Sequence, residues 1–97
     1  MKSLAEKELD EFDTLFKALA HPTRRHILIV LKSKGSQVPA GDIVSSCMNK
    51  WPTITRHLQQ LERAGIITGT KKGTQNLYEL NQNIMTNKLA NWIKWFQ

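Results

Sequence analysis

The sequence predicts a mainly helical fold with one small β-hairpin, in the order α-α-α-α-β-β-α. Three observations carry this expectation. Apolar residues recur at helical spacing along most of the chain, Pro and Gly fall at the boundaries of those stretches, and only residues 66–80 switch to strand-prone composition around a central Gly73. Ninety-seven residues can build one core but not two, and no repeat or linker divides the chain, so 1–97 reads as a single domain. A hydrophobic fraction of 40% with 23% charged residues is that of a folded chain and argues against wholesale disorder.

Each element has a local reason. Ser3 followed by Glu6 has the capping-box pattern, and Leu9, Phe12, Phe16 and Leu19 recur at helical spacing with Leu15 beside them, so residues 4–20 should form an amphipathic helix. Pro22 turns His21 away from helical geometry but suits a first helical turn itself, which starts a second helix that Gly35 should end. Its run Ile27-Leu28-Ile29-Val30-Leu31 is apolar on all sides and reads as a central helix buried around most of its circumference. Ile43, Val44 and Cys47 share one side of a short third helix from Ala40 to Cys47, and Met48-Asn49-Lys50 forms a tight connection. Pro52 then restarts a helix on which Ile54, Leu58 and Leu61 line up, until Gly65 ends it. Residues 40–65 are thus a helix-turn-helix.

Beyond it, Ile66 to Thr70 and Gln75 to Leu80 are strand-prone and flank Lys71-Lys72-Gly73-Thr74, a hairpin with two lysines at its tip. This wing covers residues 66–80. Asn81 or Asn83 can cap a last helix that runs through Gln97 and places Met85, Leu89, Trp92, Ile93 and Phe96 on one face.

The formal net charge is +6, which favours a polyanionic partner. Its distribution is more informative. Residues 1–20 carry three cations (Lys2, Lys7, Lys17) against five acids (Glu6, Glu8, Asp10, Glu11, Asp13), a balance of −2, and residues 21–97 hold +8. A single cysteine, Cys47, allows no internal disulfide, and no apolar run is long enough to span a membrane or serve as a signal peptide, so a cytoplasmic protein without a membrane partner is expected.

At about 100° per residue, Leu58 and Leu61 fall within about 40° of Ile54, whereas Arg56 and Arg63 lie about 180–200° away and point from the core. Gln59 and Gln60 flank them, and Thr53 and Thr55 stand near the helix start, where a recognition helix inserts deepest into a major groove. Arg can donate two hydrogen bonds to guanine, Gln can pair with adenine, and Thr offers a methyl to thymine or a hydroxyl to phosphate. Thr53, Thr55, Arg56 and Gln59 are therefore the first candidates for contacts to bases or nearby phosphates of double-stranded DNA, with Gln60 and Arg63 beside them. Lys50, Lys71 and Lys72 are candidates for the phosphate backbone. Taken alone, this helix also fits an ordinary solvated face, and the two lysines a solubilising loop tip. The coincidence of helix, turn, basic hairpin and local charge is what favours DNA.

The run Ala18-Leu19-Ala20-His21-Pro22-Thr23-Arg24-Arg25-His26-Ile27-Leu28 resembles the "ALA-DPTRR-xIL" segment of the ArsR/SmtB family of winged helix-turn-helix repressors. Pro52 to Ile67 is similar to that family's recognition helix, "PTVSRHLxxLxxAGLV", and Gly73 to Leu80 to its wing, "G-x-x-x-x-Y-x-L". The resemblance spans roughly residues 12–80, with the three motifs in the same order. It implies a transcriptional repressor that binds a two-half-site operator as a homodimer, its first and last helices packed together. The composition points the same way: Trp92, Trp95 and Phe96 crowd the last helix opposite the apolar stripe of the first, more apolar surface than one small core easily hides. Leu9, Phe12, Phe16, Met85, Leu89, Trp92, Ile93 and Phe96 are the candidate dimer contacts, with 1–20 and 82–97 as dimerisation helices. The alternative is that these aromatics cover the protomer's own core.

Members of the family that sense metals resemble one another in a Cys-x-Cys pair on the third helix, or in Asp and His ligands on the last. Here the third helix has only Cys47, and residues 81–97 contain no Asp, Glu, His or Cys. His21 and His26 lie five apart across one helix start and His57 lies on another helix, which does not make a tetrahedral set, so they read as packed or capping residues. No metal, cofactor or catalytic residue is expected. Cys47, on an apolar side, reads as a buried small hydrophobe rather than a redox switch. No phosphate loop or Ser/His/Asp arrangement points to an enzyme. The competing reading is a protein-interaction module whose basic face binds an acidic partner. An unidentified effector or partner protein is compatible with either reading. Trp51 departs from the small or polar residue usual before the recognition helix, and can wedge against a sugar-phosphate strand or pack beneath the turn.

Overall fold

The computed structural model describes residues 4–97. Along the chain lie α1 (Glu6–Leu19), α2 (Pro22–Lys34), β1 (Val38–Pro39), α3 (Ala40–Cys47), α4 (Trp51–Arg63), β2 (Ile67–Lys72), β3 (Gln75–Leu80) and α5 (Gln82–Ile93), with a closing 3₁₀ turn at Lys94–Phe96. The mainly helical fold with a small antiparallel hairpin is as expected. β1 was not: Val38 pairs with Tyr78 and Pro39 with Leu77, so the hairpin becomes a three-stranded sheet of order β1-β3-β2. A two-residue strand has no periodicity to read. It covers the free edge of β3, and Pro39, which has no N–H to donate to a ladder, serves as the residue before α3.

The core collects Leu15 of α1, Ile27 and Leu31 of α2, Ile43 of α3, and Ile54, Leu58 and Leu61 of α4, with Ile66 behind them, all essentially inaccessible to solvent. α2 is less enclosed than its composition implied. Ile27, Leu28, Val30 and Leu31 are buried, but Ile29 is 64% exposed, because its side faces the open groove between α2 and the start of α5 instead of another element. α5 buries no residue completely. The Cα radius of gyration, 14.6 Å, exceeds the roughly 12.5 Å of a compact chain of this length, and the long axis is 50 Å.

The junctions are set by specific caps. Ser3 lies outside the described residues; α1 begins instead from Ala5, with no side-chain cap. Its other end is held by the first turn of α2, where Arg24 Nη1 donates to the Lys17 carbonyl at 2.6 Å and Arg25 Nη1 to the Leu19 carbonyl at 2.8 Å. α4 closes in a Schellman motif: Gly65, at φ 74°, donates to the Glu62 carbonyl at 2.9 Å and Ile66 to the Leu61 carbonyl at 3.1 Å. Asn81 precedes α5 but its side chain does not cap it. It turns back instead, Nδ2 donating to the Gly65 carbonyl at 3.1 Å while the Asn81 N–H donates to the Ile66 carbonyl at 2.7 Å. Asn83 lies within α5, so neither asparagine plays the expected capping role. Lys88 Nζ donates to the Ala64 carbonyl at 2.9 Å, so α5 is fastened to the end of α4 by polar contacts as well as by packing.

Candidate nucleic-acid interface

The turn between α3 and α4 is built by Met48 in the left-handed region at φ 49°, and by Asn49, whose Oδ1 accepts from the Lys50 N–H at 2.8 Å. Extended Lys50 then starts α4, with Pro52 in its first turn. Burial of Ile54, Leu58 and Leu61 fixes the rotation of the helix about its axis. Thr55, Arg56, Gln59, Gln60 and Arg63 are consequently exposed on its outer side, Lys50 is exposed at its head, and Thr53 is half-buried. Glu62, the acid at the margin of this face, leans away over the wing. Its Oε1 lies 3.0 Å from where a Cβ on Gly69 would be, and its charge and burial together push the Tyr78 phenol above its ordinary pKa, burial being the larger cause.

The hairpin is longer and its loop tighter than the sequence implied. Lys71 pairs with Asn76 and Lys72 with Gln75, leaving only Gly73 and Thr74 in the loop, with Gly73 at φ 62° as the first position of a type II′ turn requires. Both lysines are exposed, but as consecutive strand residues they project from opposite faces. Lys71 shares the face of Gly69 and Tyr78, on which Glu62 of α4 lies; Lys72 is on the other.

Trp51 is 55% exposed. A Cβ on Gly41 would meet its Cζ2 at 3.7 Å, so the indole edge rests over the first turn of α3. The rest of the ring borders a cleft of about 360 Å³, whose far wall is Thr74, Gln75 and Asn76 of the wing. Met48, at the turn, is 93% exposed. Neither the cleft nor the use of Gly41 as a seat for Trp51 was visible in the sequence, because the contact joins two helices and a hairpin.

The candidate dimer residues separate into two groups. Trp92 packs edge-on to Phe12 (ring centroids 5.4 Å apart) and Phe16 (5.1 Å), so α1 and α5 meet within one protomer, and Phe12 is only 7% exposed. Met85 and Leu89 are half-buried against the core. Leu9, Ile93 and Phe96 remain exposed, Phe96 at 72% even though its ring lies 5.0 Å from that of Trp92. Ile84 and Ile29, outside the sequence-based set, add to the exposed apolar surface.

Among the described residues, no group of three or more His, Cys, Asp or Glu is placed to hold a metal ion. Cys47 is half-buried, and burial pushes its thiol above the ordinary value, which disfavours the thiolate. No described helix is long and apolar enough to cross a membrane.

No family model matches the chain. The transcriptional repressor SdpR of Bacillus subtilis is 37% identical over 81 residues, covering 84% of this chain and 87% of SdpR. An ArsR family transcriptional regulator of known structure, RHA00566, superposes with a TM-score of 0.79 over 99% of this chain and 93% of its own, at 25% identity. The homodimeric winged helix-turn-helix DNA-binding domain of Mb0332 from Mycobacterium bovis, a possible ArsR-family regulator, shares the fold with a TM-score of 0.74 at 22% identity, over 96% of this chain and 88% of that one.

Proposed function

The chain belongs to the ArsR/SmtB family of winged helix-turn-helix transcriptional regulators, and from that premise we propose that it is a repressor that binds a palindromic operator in double-stranded DNA as a homodimer. The observation that carries this reading is the outer side of α4. An exposed Thr55-Arg56-Gln59-Gln60-Arg63 surface stands on a fully buried Ile54-Leu58-Leu61 stripe, with its one acid turned away onto the wing. A rigid helix with Arg and Gln projecting from its free side is the geometry that major-groove readout needs.

In this reading Thr55, Arg56 and Gln59 contact base edges and the half-buried Thr53 a nearby phosphate, with Gln60 and Arg63 at the margin. Lys50, Lys71 and Lys72 neutralise the sugar-phosphate backbone. The dimer seam forms where Leu9, Ile93 and Phe96 are exposed, over the Phe12-Phe16-Trp92 cluster that joins α1 to α5. The protein acts in the cytoplasm without a metal or other cofactor and catalyses no reaction. In support, α3 contributes one cysteine, and residues 81–97 contain no Asp, Glu, His or Cys from which the family's interfacial site could be made.

Selection of duplexes from a random pool by the purified protein tests the proposal. Enrichment of a palindrome whose half-sites lie about one helical turn apart is expected. Recovery of no preferred sequence would overturn it in favour of a module that binds an acidic protein.

A further inference from the structure

His57 lies on α4 but not on its DNA-facing side; it is half-buried, with its ring 4.4 Å from that of His21 at the start of α2. Two hydrogen bonds define how these rings are used. His57 Nδ1 accepts from Arg24 Nε at 3.2 Å, and His21 Nδ1 accepts from the Thr23 N–H at 3.1 Å. A guanidinium N–H and a backbone N–H can only donate. Each Nδ1 must therefore keep its lone pair, with the single ring proton on Nε2, so the arrangement exists only while both imidazoles are neutral.

The same guanidinium reaches a third element, because Arg24 Nη1 also donates to the Lys17 carbonyl of α1. One side chain thus ties the end of α1, the start of α2 and the middle of α4. The charged groups facing His57 are all cationic: His21 when protonated, Arg24 from α2 and Arg56 from α4 itself.

We propose that His57 is a positioning residue that holds the recognition helix against α2 only in its neutral form, so that acidification releases the protein from DNA. The inference rests on the DNA-binding reading of α4. Protonation of His57 sets a ring N–H against the Arg24 N–H and a third positive charge beside Arg24 and Arg56. Burial, and then these neighbouring cations, hold His57 below the ordinary histidine pKa, so the neutral arrangement is complete above the ordinary value and is lost as pH falls through the lowered one. The sign is opposite to that of simple charge attraction, in which added positive charge on the protein strengthens binding to DNA.

Fluorescence anisotropy on a duplex enriched from the random pool reads the effect. Between about pH 7.5 and about pH 5 the parent is expected to lose affinity severalfold, with the fall setting in below the ordinary histidine range, as one protonation that binding must reverse requires. The His57→Asn variant keeps an acceptor oxygen near the Nδ1 position but does not titrate there, and is expected to bind with little pH dependence. Parent affinity that is unchanged or stronger at the lower pH, or a variant that weakens in parallel with the parent, would overturn the proposal.

Nitrogen-15 spectroscopy on the DNA-free parent decides the point even if the variant fails to fold. Nε2–H tautomers at neutral pH, with loss of α4 amide protection on acidification, are expected; Nδ1–H tautomers, or α4 protection unaffected by acid, would refute it. A protein that binds no duplex at any pH would sink the repressor reading instead, and the spectroscopic arm would still decide the histidine arrangement.

Discussion

Replacing Gly69 by alanine puts a methyl group where the wing meets the recognition helix. The new Cβ would lie 2.9 Å from Tyr78 Cε1 and 3.0 Å from Glu62 Oε1. Glu62 is a flexible side chain at an exposed position and can swing aside, but Tyr78 is packed against the core and paired across the ladder with residue 69 itself. The strain therefore falls on the ring and on the β2–β3 pairing, and small-to-large overpacking of this kind costs about 1–3 kcal/mol. For a domain of this size each kcal/mol lowers Tm by roughly 4–8 °C. Thermal unfolding followed by circular dichroism, at matched protomer concentration because any dimer couples stability to concentration, should show a drop of at least about 4 °C. Tyr78→Phe should not relieve the strain, since phenylalanine retains Cε1, whereas Tyr78→Leu should make the added methyl less costly. A Gly69→Ala protein as stable as its parent would mean that Tyr78 is free to move, and would refute the claim that its ring is held over Gly69 by the core and the β2–β3 ladder.

Other substitutions separate the roles assigned to the surface. Arg56→Ala should weaken binding to the selected duplex by about 1–3 kcal/mol and relax preference at one position of each half-site, as read by binding to a panel of point-substituted duplexes. Lys72→Ala should weaken all duplexes about equally and reduce the slope of log affinity against log salt by about 1. Phe96→Ser should shift the protein toward monomer in sedimentation while leaving the circular dichroism spectrum intact, because the ring is largely exposed within one protomer. Trp92→Ala should instead unfold more easily by about 2–3 kcal/mol, below the cost for a fully buried ring because Trp92 is half-buried, since it removes the ring that joins Phe12 and Phe16.

The features legible in the sequence were those written in short-range periodicity. The Ile54-Leu58-Leu61 stripe fixed both the existence of α4 and the side that faces out, and Pro22, Gly35, Pro52 and Gly65 marked helix boundaries that the structure reproduces. Gly73 located the hairpin, although cross-strand pairing extended it until only two loop residues remained. The features that could not be read depend on partners distant in sequence. β1 exists because Val38 meets Tyr78, Ile29 is exposed because no element lies opposite it, and Asn81 leaves its cap to bind Gly65. His21 caps α2 and His57 is half-buried against it, but His26 is exposed and neither caps nor packs, and the meeting of His21 with His57 across α2 and α4 has no local signature. The division of the dimer candidates is of the same kind, since spacing alone cannot show that Phe12 is used up within the protomer and Phe96 is not.

In the proposed complex two copies of α4, held by one dimer, read two major grooves. Interference footprinting with guanine N7 methylation on the selected duplex tests it most directly, because that modification blocks major-groove contacts alone. Two symmetric patches of interference about one helical turn, or roughly 34 Å, apart are expected, both weakened by Arg56→Ala. Binding that is insensitive to N7 methylation, or a single patch unaffected by that substitution, would contradict this arrangement.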